Sequence, residues 1–361
     1  MIKVEIVADS INQQKDRIIS MVLTYPRIIH AEMLTHRMFS RNASSSRAVP
    51  VKKMIEAVRN NTFCPMEFQK AHTGMQGSEY FTGKDKEECR QLWLETAEFA
   101  LNQAEKMLQK GISKQIINRI LEPYQYYTVL ITGSKEGWEN FFKLRNSVYV
   151  FGSNTEAPKI WYSKKDAIKD FPEWENRNDL FWQMLNKGQA EIHMMCLSEK
   201  IYDAIQESKP TVLQEGEWHI PFEDRMDSRK IYEDVLNQNI DYSISVKFYK
   251  EFIEAKVKIS TAMAARTSYT VVGDEKEVDY AKMIELHDKL IEMRHSSPFE
   301  HCARTMSDNE YEEFIKGRFE VTHSESDYDD LGEFPDSAKG WCYNLKGFIP
   351  YRYMIDNKIK I

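Results

Sequence analysis

Apolar and polar positions alternate along residues 2–8 and 17–25, either side of the polar stretch SINQQK. A period of two on both sides of a polar turn predicts a β-hairpin. The period changes at Pro26, a residue suited to the first turn of a helix. Ile29, Met33 and Leu34 then recur at helical spacing and predict a helix to about Phe39. Residues 86–110 form the strongest amphipathic pattern, closed by Gly111 as a helix is by a glycine just past its end. Further helices are predicted at 113–121, ended by Pro123, and at 135–145, 188–206 and 275–294. Residues 146–187, polar and aromatic with two prolines, read as an insertion. Residues 207–245, acidic and turn-rich, read as a connector before a last ordered block. The expected fold class is α+β, a core of long helices packed on a small, mostly antiparallel sheet. There is no internal repeat and no low-complexity tract.

Composition narrows the class. The chain has 361 residues, 42% apolar and 29% charged, as expected of a folded globular protein. A net charge of -7 and a pI near 5.8 argue against a nucleic-acid binder. No apolar run approaches the roughly 18 residues that span a bilayer, and the N-terminus does not read as a signal peptide. Five scattered cysteines without a C-x-x-C pair indicate neither a zinc site nor a disulfide framework, so a cytoplasmic location is expected. No metal site is expected.

Candidate chemistry concentrates at Thr35–Pro50, THRMFSRNASSSRAVP. Serine hydroxyls, backbone N–H groups and guanidinium groups after a helix are the usual means of holding a phosphate. A serine-rich loop that merely caps the helix is the plain alternative. His36 and Arg37 read equally as a surface pair, because no second histidine stands three or four residues away to make a zinc helix. HSSPFEH (His295–His301) contains Pro298 and marks a helix end. Gly77-SEYFT-Gly83-Lys84-Asp85 has one residue too many for a phosphate-binding loop and Asp where Ser or Thr should hold magnesium. No G-x-G-x-x-G is present.

Together these segments resemble the flavin-dependent thymidylate synthases, the ThyX family. THRMFSRNASSSR is similar to the family signature R-H-R-x-x-S-x-N-E-x-S-x-R, with Thr35, His36, Arg37, Ser40, Asn42, Ser45 and Arg47 in register. GISKQIINRILEPYQYYT is similar to G-x-x-x-E-x-A-R-x-x-L-P-x-x-x-Y-T, with one extra residue before Arg119. ENFFKLR resembles N-F-x-x-L-R, and Gln189-Ala-Glu191-Ile192 resembles Q-x-E-I after the insertion. Ala265-Arg-Thr-Ser-Tyr269 and HSSPFEH match A-R-x-S-Y/F and H-x-S/T-P-F-E-H. In the family the last two precede the signature, whereas here they follow it by about 230 residues. The order reads as a circular permutation, allowed where domain termini lie close together. One domain spanning 1–361 is expected, with the signature block in 1–206, the joint in 207–245 and the displaced block in 246–361. The tail NLKGFIPYR resembles that of a longer, phage-type branch.

The resemblance implies an FAD enzyme that turns dUMP into dTMP with methylenetetrahydrofolate and NADPH, as a homotetramer. It implies that Ser45, Ser46, Arg47 and Arg119 hold the dUMP phosphate, that Glu32 lies at the substrate, and that Arg145 lies against the pyrimidine as the catalytic group. His36, Arg37, Asn140, Ser268, His295, Ser297 and Glu300 would line the FAD site. Four positions depart from the pattern. Thr35 replaces the first signature arginine, with Arg41 the candidate substitute. Glu32 stands where the family has Gln, and needs an arginine partner beside an anion. Ala43 replaces a Glu near the substrate, and Lys187 stands near the family's FAD-contacting His. These departures leave open transfer of a hydroxymethyl group instead of a methyl, or a nucleotide-binding protein without turnover.

Overall fold

The structure, a computed structural model, describes residues 1–73, 77, 79–152, 157–236, 246–269, 279–315 and 337–361, with the side chains of 246–248 left aside. In chain order it begins with β1 (Lys3–Ile11), β2 (Arg17–Pro26), α1 (His30–Leu34), β3 (Ser40–Ala43), α2 (Val51–Asn60) and α3 (Gly83–Gln109). There follow α4 (Lys114–Ile120), β4 (Tyr126–Ser134), α5 (Lys135–Arg145), β5 (Tyr149–Phe151), β6 (Lys159–Trp161), α6 (Lys164–Asp170), α7 (Asp179–Leu185) and α8 (Ile192–Glu207). The remainder holds β7 (Thr211–Val212), β8 (Trp218–His219), α9 (Ser228–Asp234), α10 (Val246–Arg266), α11 (Tyr280–Glu292), β9 (Ala303–Thr305) and a tail, Ser337–Ile361. The fold is α+β.

The main sheet has the order β3-β4-β2-β1-β7, antiparallel except for the short β1–β7 pair. β2 is its centre, and both faces are covered, which is why its sequence RIISMVLTYP is apolar almost throughout. Ile19, Met21, Leu23 and Tyr25 face α5 and α8, packing with Trp138, Phe141, Met194, Leu197 and Ile201. On the opposite face Ile18 packs with Leu213, Ala303, Leu345 and Phe348, and Val22 lies against the cluster of Val7, Leu130, Phe222 and Ala264. The helices α2, α3 and α4 form their own core around Val58, Ala97, Leu101 and Ile117. α9, α10 and α11 close on another with the last helix, Tyr351–Asp356.

Several expectations meet a different structure. The helix expected to Phe39 stops at Leu34, because the Thr35 and His36 amides bond three residues back and tighten the turn. Phe39 is then pulled into the core, 4.4 Å from the Trp138 ring. Strand β4, buried along most of its length, was not anticipated from the sequence. The stretch read as an irregular connector instead supplies β7, β8 and α9 and buries Ile220, Phe222, Met226 and Ile231. Its residues 237–245, and the start of the helix expected from 275, lie outside the described residues. The segment read as an insertion packs around its own aromatic core of Tyr149, Trp161, Trp174 and Trp182. Among the described residues no helix is long and apolar enough to cross a membrane, and no group of side chains could hold a metal ion.

A buried polar chain joins the early and late parts of the sequence. Asn42 Nδ2 donates to the Ala264 carbonyl, so Asn42 Oδ1 accepts from His301 Nε2. The unprotonated His301 Nδ1 then accepts from Thr132 Oγ1 at 2.8 Å, and Thr132 accepts from Ser20 at 2.6 Å. Ser20, its proton used, accepts from His219 Nε2 at 2.8 Å, and His219 Nδ1 accepts from Ser10 at 2.9 Å. All of these side chains are buried. Every proton in the chain runs in one direction, and both histidines are neutral with the proton on Nε2. Burial is the leading cause that lowers both pKa values to about 3.

Candidate active site

The signature residues lie at the edge of the main sheet. α1 is short and its last carbonyls are exposed to capping. Arg41 meets that need, its Nη1 reaching the carbonyls of Met33, Leu34 and His36 at 3.0–3.3 Å. Nη1 of Arg41 is therefore committed to the backbone of this turn.

Arg145, the last residue of α5, reaches back across this turn. Its Nη1 donates to Glu32 Oε2 at 2.8 Å, its Nε to His36 Nε2 at 3.1 Å and its Nη2 to Thr35 Oγ1 at 3.3 Å. Thr35 in turn donates its only proton to the Glu32 carbonyl at 2.7 Å. Because Nε2 of His36 accepts, the ring is neutral with its proton on Nδ1. Burial, then the Arg145 and Arg41 charges, lowers its pKa to about 4. Glu32 has its pKa raised, since burial outweighs the attraction of Arg145 and Glu191 adds repulsion. A guanidinium has five N–H donors, and three are used here, so two remain without an acceptor among the described residues. The arginine partner that Glu32 requires is Arg145.

The following loop is pinned by its backbone. The Ser45 amide donates to the Ser268 carbonyl at 3.0 Å, and the Arg47 amide to Ser45 Oγ at 3.3 Å. Asn118 Nδ2 bonds the carbonyls of Ser46 and Val49 at 2.8 and 2.9 Å. The sequence reading passed over Asn118, although it stands beside Arg119. Ser45 and Ser46 are half-buried, while the Arg47 and Arg119 side chains are exposed. β3 contacts both the 3-10 turn Thr267–Tyr269, holding Ser268, and the 3-10 turn Ser297–Glu300. Segments more than two hundred residues apart thus meet along one strand.

Not every expected FAD residue has a free polar edge. Arg37, Asn140, His295 and Ser297 are exposed. His36 is buried, its ring edge-on to Phe141 at 4.9 Å and its Nε2 engaged by Arg145. Glu300 is salt-bridged to Arg352 of the tail, and Asn344 of the tail bonds Ser40 Oγ and the Met38 carbonyl. Lys187 is exposed and donates to the Met184 carbonyl at 3.0 Å. Glu191 caps α8 through the His193 and Met194 amides. A cavity of about 280 Å³ between the aromatic segment and α8, bordered by Lys164, Trp182, Cys196 and Glu199, includes none of the expected site residues.

The fold and this cluster define an α+β protein with an arginine-centred polar site at one sheet edge. Residues 18–150 match the family model described as thymidylate synthase complementing protein. That span contains the signature, Arg119 and Arg145, so the family recognised from the motifs is also the one that the family model recognises. Among solved structures the chain is similar to the UMP/dUMP methylase PolB from Streptomyces cacaoi. With the form bound to 5-Br UMP the identity is 14% and the TM-score 0.36, over 57% of this chain and 89% of that one. With the form bound to 5-Br dUMP the values are 12% and 0.32, over 56% and 95%. A search of the curated proteins finds no match.

Proposed function

We propose that the protein is a flavin-dependent one-carbon transferase acting on a pyrimidine nucleotide, in the manner of a thymidylate synthase. The reference reaction takes dUMP to dTMP, with methylenetetrahydrofolate as one-carbon donor and NADPH as reductant. The observation that carries this reading is Arg145, held in a planar fork by Glu32, His36 and Thr35 with two N–H groups to spare. A guanidinium fixed in this way stabilises negative charge developing on a ring without reorganising. Ser45, Ser46, Arg47 and Arg119 would receive the phosphate, on a loop whose backbone is already tied to Ser268 and Asn118.

The exposed donors Arg37, Asn140, His295 and Ser297 fit an anionic dinucleotide, so they would hold FAD, with Ser268 beside them. FAD, when bound, supplies the hydride that completes the methyl group. His36 would serve this site by orienting Arg145, since its ring is buried. Glu300 would reach the cofactor only in company with Arg352.

The chain is read as one permuted domain. Support comes from the Ser45–Ser268, Asn42–Ala264 and Thr132–His301 hydrogen bonds, which tie the displaced block to the signature block. A homotetramer in the cytoplasm completes the reading, because so open a site gains walls from a second copy. The test is direct. The protein reconstituted with FAD should be yellow and release tritium from 5-tritiated dUMP only when methylenetetrahydrofolate is present. A protein that stays colourless with FAD overturns the reading.

A further inference from the structure

A cavity of about 640 Å³ lies between the segment that holds Tyr80 and Thr82 and the helix α7. Small-molecule sites commonly have a volume of roughly 300–1,000 Å³. Its walls are largely apolar, from Tyr80, Leu180, Met184, Ile192 and Met195. Leu180 and Met184, one turn apart on α7, are 60% and 67% exposed and present a free apolar edge. Methionine and aromatic walls suit a flat, polarisable ligand. Lys187 is the one charged side chain among the described residues that line the cavity.

Lys187 is one of the four departures from the family pattern, and its backbone is fixed. Its amide donates to the Val148 carbonyl at 2.7 Å, and its Nζ to the Met184 carbonyl at 3.0 Å. Gly188, also on the cavity wall, packs against the chain just after Arg145. A Cβ added there would come 2.8 Å from the Asn146 carbonyl. The cavity therefore borders the residue that follows Arg145. An ammonium has three donors and one is used here, so two remain for a ligand. No carboxylate lines the cavity among the described residues, so an anion meets no opposing charge there.

We propose that this cavity takes an aromatic ligand bearing a carboxylate, namely the p-aminobenzoyl-glutamate part of the folate one-carbon donor. This rests on the reading above that a folate supplies the carbon at Arg145. The benzoyl ring packs on the apolar walls, and a glutamate carboxylate meets the Lys187 ammonium in a charge-assisted hydrogen bond. A single cation matches a carboxylate. The pyrophosphate of FAD is better served by the several exposed donors read above as its site, Arg37, Asn140, His295 and Ser297.

Equilibrium dialysis of the full-length protein, saturated with FAD and dUMP, against folic acid and 6-hydroxymethylpterin tests the proposal. The second compound keeps the pterin ring and lacks the benzoyl-glutamate. Lys187→Gln should lower the affinity for folic acid at least about tenfold and leave that for the pterin unchanged. Met184→Asp, which places a like charge in the cavity, should do the same. Both side chains are exposed, so both variants should fold with an unchanged thermal midpoint. An unchanged affinity for folic acid in Lys187→Gln, or a loss of FAD affinity in its place, overturns the proposal. A wild type that binds dUMP but not folic acid also overturns it, and leaves the nucleotide reading standing. If neither FAD nor dUMP binds, that reading fails as well.

Discussion

Arg145 and Glu32 stand 113 residues apart and meet with Nη1 and Oε2 separated by 2.8 Å. The guanidinium makes this contact while also donating to a neutral histidine and a threonine. Its orientation is therefore set from three sides.

A planar fork can satisfy three acceptors in this arrangement, and an ammonium on a flexible stem cannot. Arg145→Lys keeps the charge and loses the geometry. Its kcat/KM for tritium release should fall at least about a hundredfold, which is about 2.7 kcal/mol of transition-state stabilisation. Arg145 lies at a helix end, half-buried, so the thermal midpoint should change little. A variant with near-normal kcat/KM would remove Arg145 from the chemistry.

Acidification should unfold this protein earlier than its carboxylates alone would. His36, His219 and His301 are buried and neutral, with pKa values lowered from 6.5 to about 4, about 3 and about 3, chiefly by burial. In the unfolded chain they return to the ordinary value. Between the two values the unfolded state binds more protons, so stability falls as the pH falls. The contribution is whole above about pH 7 and is lost as the pH drops from 6.5 towards the folded values. Each histidine adds a slope of up to about 1.4 kcal/mol per pH unit. The urea midpoint, measured from pH 7.5 to 5, should drop most steeply below 6.5. A flat profile over that range would show that these rings titrate in the folded protein as they do in the unfolded chain.

The buried chain from Ser10 to Asn42 makes a separate prediction. Thr132→Val preserves shape and removes the hydroxyl, stranding the Ser20 proton and His301 Nδ1. A buried polar group left unpaired costs about 1–3 kcal/mol. The urea midpoint should fall by the equivalent of about 2 kcal/mol or more. Exposed Thr96, whose hydroxyl bonds the Leu92 carbonyl on α3, provides a control that should change little when made Val.

How far such features were legible in the sequence depends on the range of the forces behind them. α5 ran over the span expected from its period, because the apolar stripe of Trp138 and Phe141 declares it locally. The helix past Leu34 was misread for the converse reason. Phe39 keeps helical spacing, yet the bonding of the Thr35 and His36 amides and the Trp138 ring decide its place. Residues 207–236 looked irregular because their strands are two residues long and acquire their partners from distant strands, Ser10 and Ile11 of β1 and Ala303 and Arg304 of β9. The Glu32–Arg145 pair was implied as a need and located only by the fold. Asn118 and Thr132 carried no sequence signal, since an amide or hydroxyl pinning a distant element has no local pattern.

The last prediction concerns the tail. Gly347 has a φ of +75° and lies inside the β1–β2 turn, where an added Cβ would come 2.3 Å from Asn12 Nδ2 and 2.7 Å from Asp16 Oδ2. Its carbonyl accepts from Asn12 Nδ2 at 3.2 Å, and the neighbouring Lys346 ammonium is 3.4 Å from Asp16 Oδ1. The tail thus locks the turn of the hairpin whose second strand is the centre of the sheet. Gly347→Ala incurs a left-handed backbone cost of about 1–2 kcal/mol and, in addition, a clash with the hydrogen-bonded Asn12 amide and the buried Asp16 carboxylate. Gly216 has a φ of +80° with no atom within 4 Å of an added Cβ, so Gly216→Ala isolates the backbone part. The urea midpoint should fall clearly further for Gly347→Ala than for Gly216→Ala. Equal losses would mean that the tail yields without disturbing Asn12 and Asp16, and that it is not what fixes the turn.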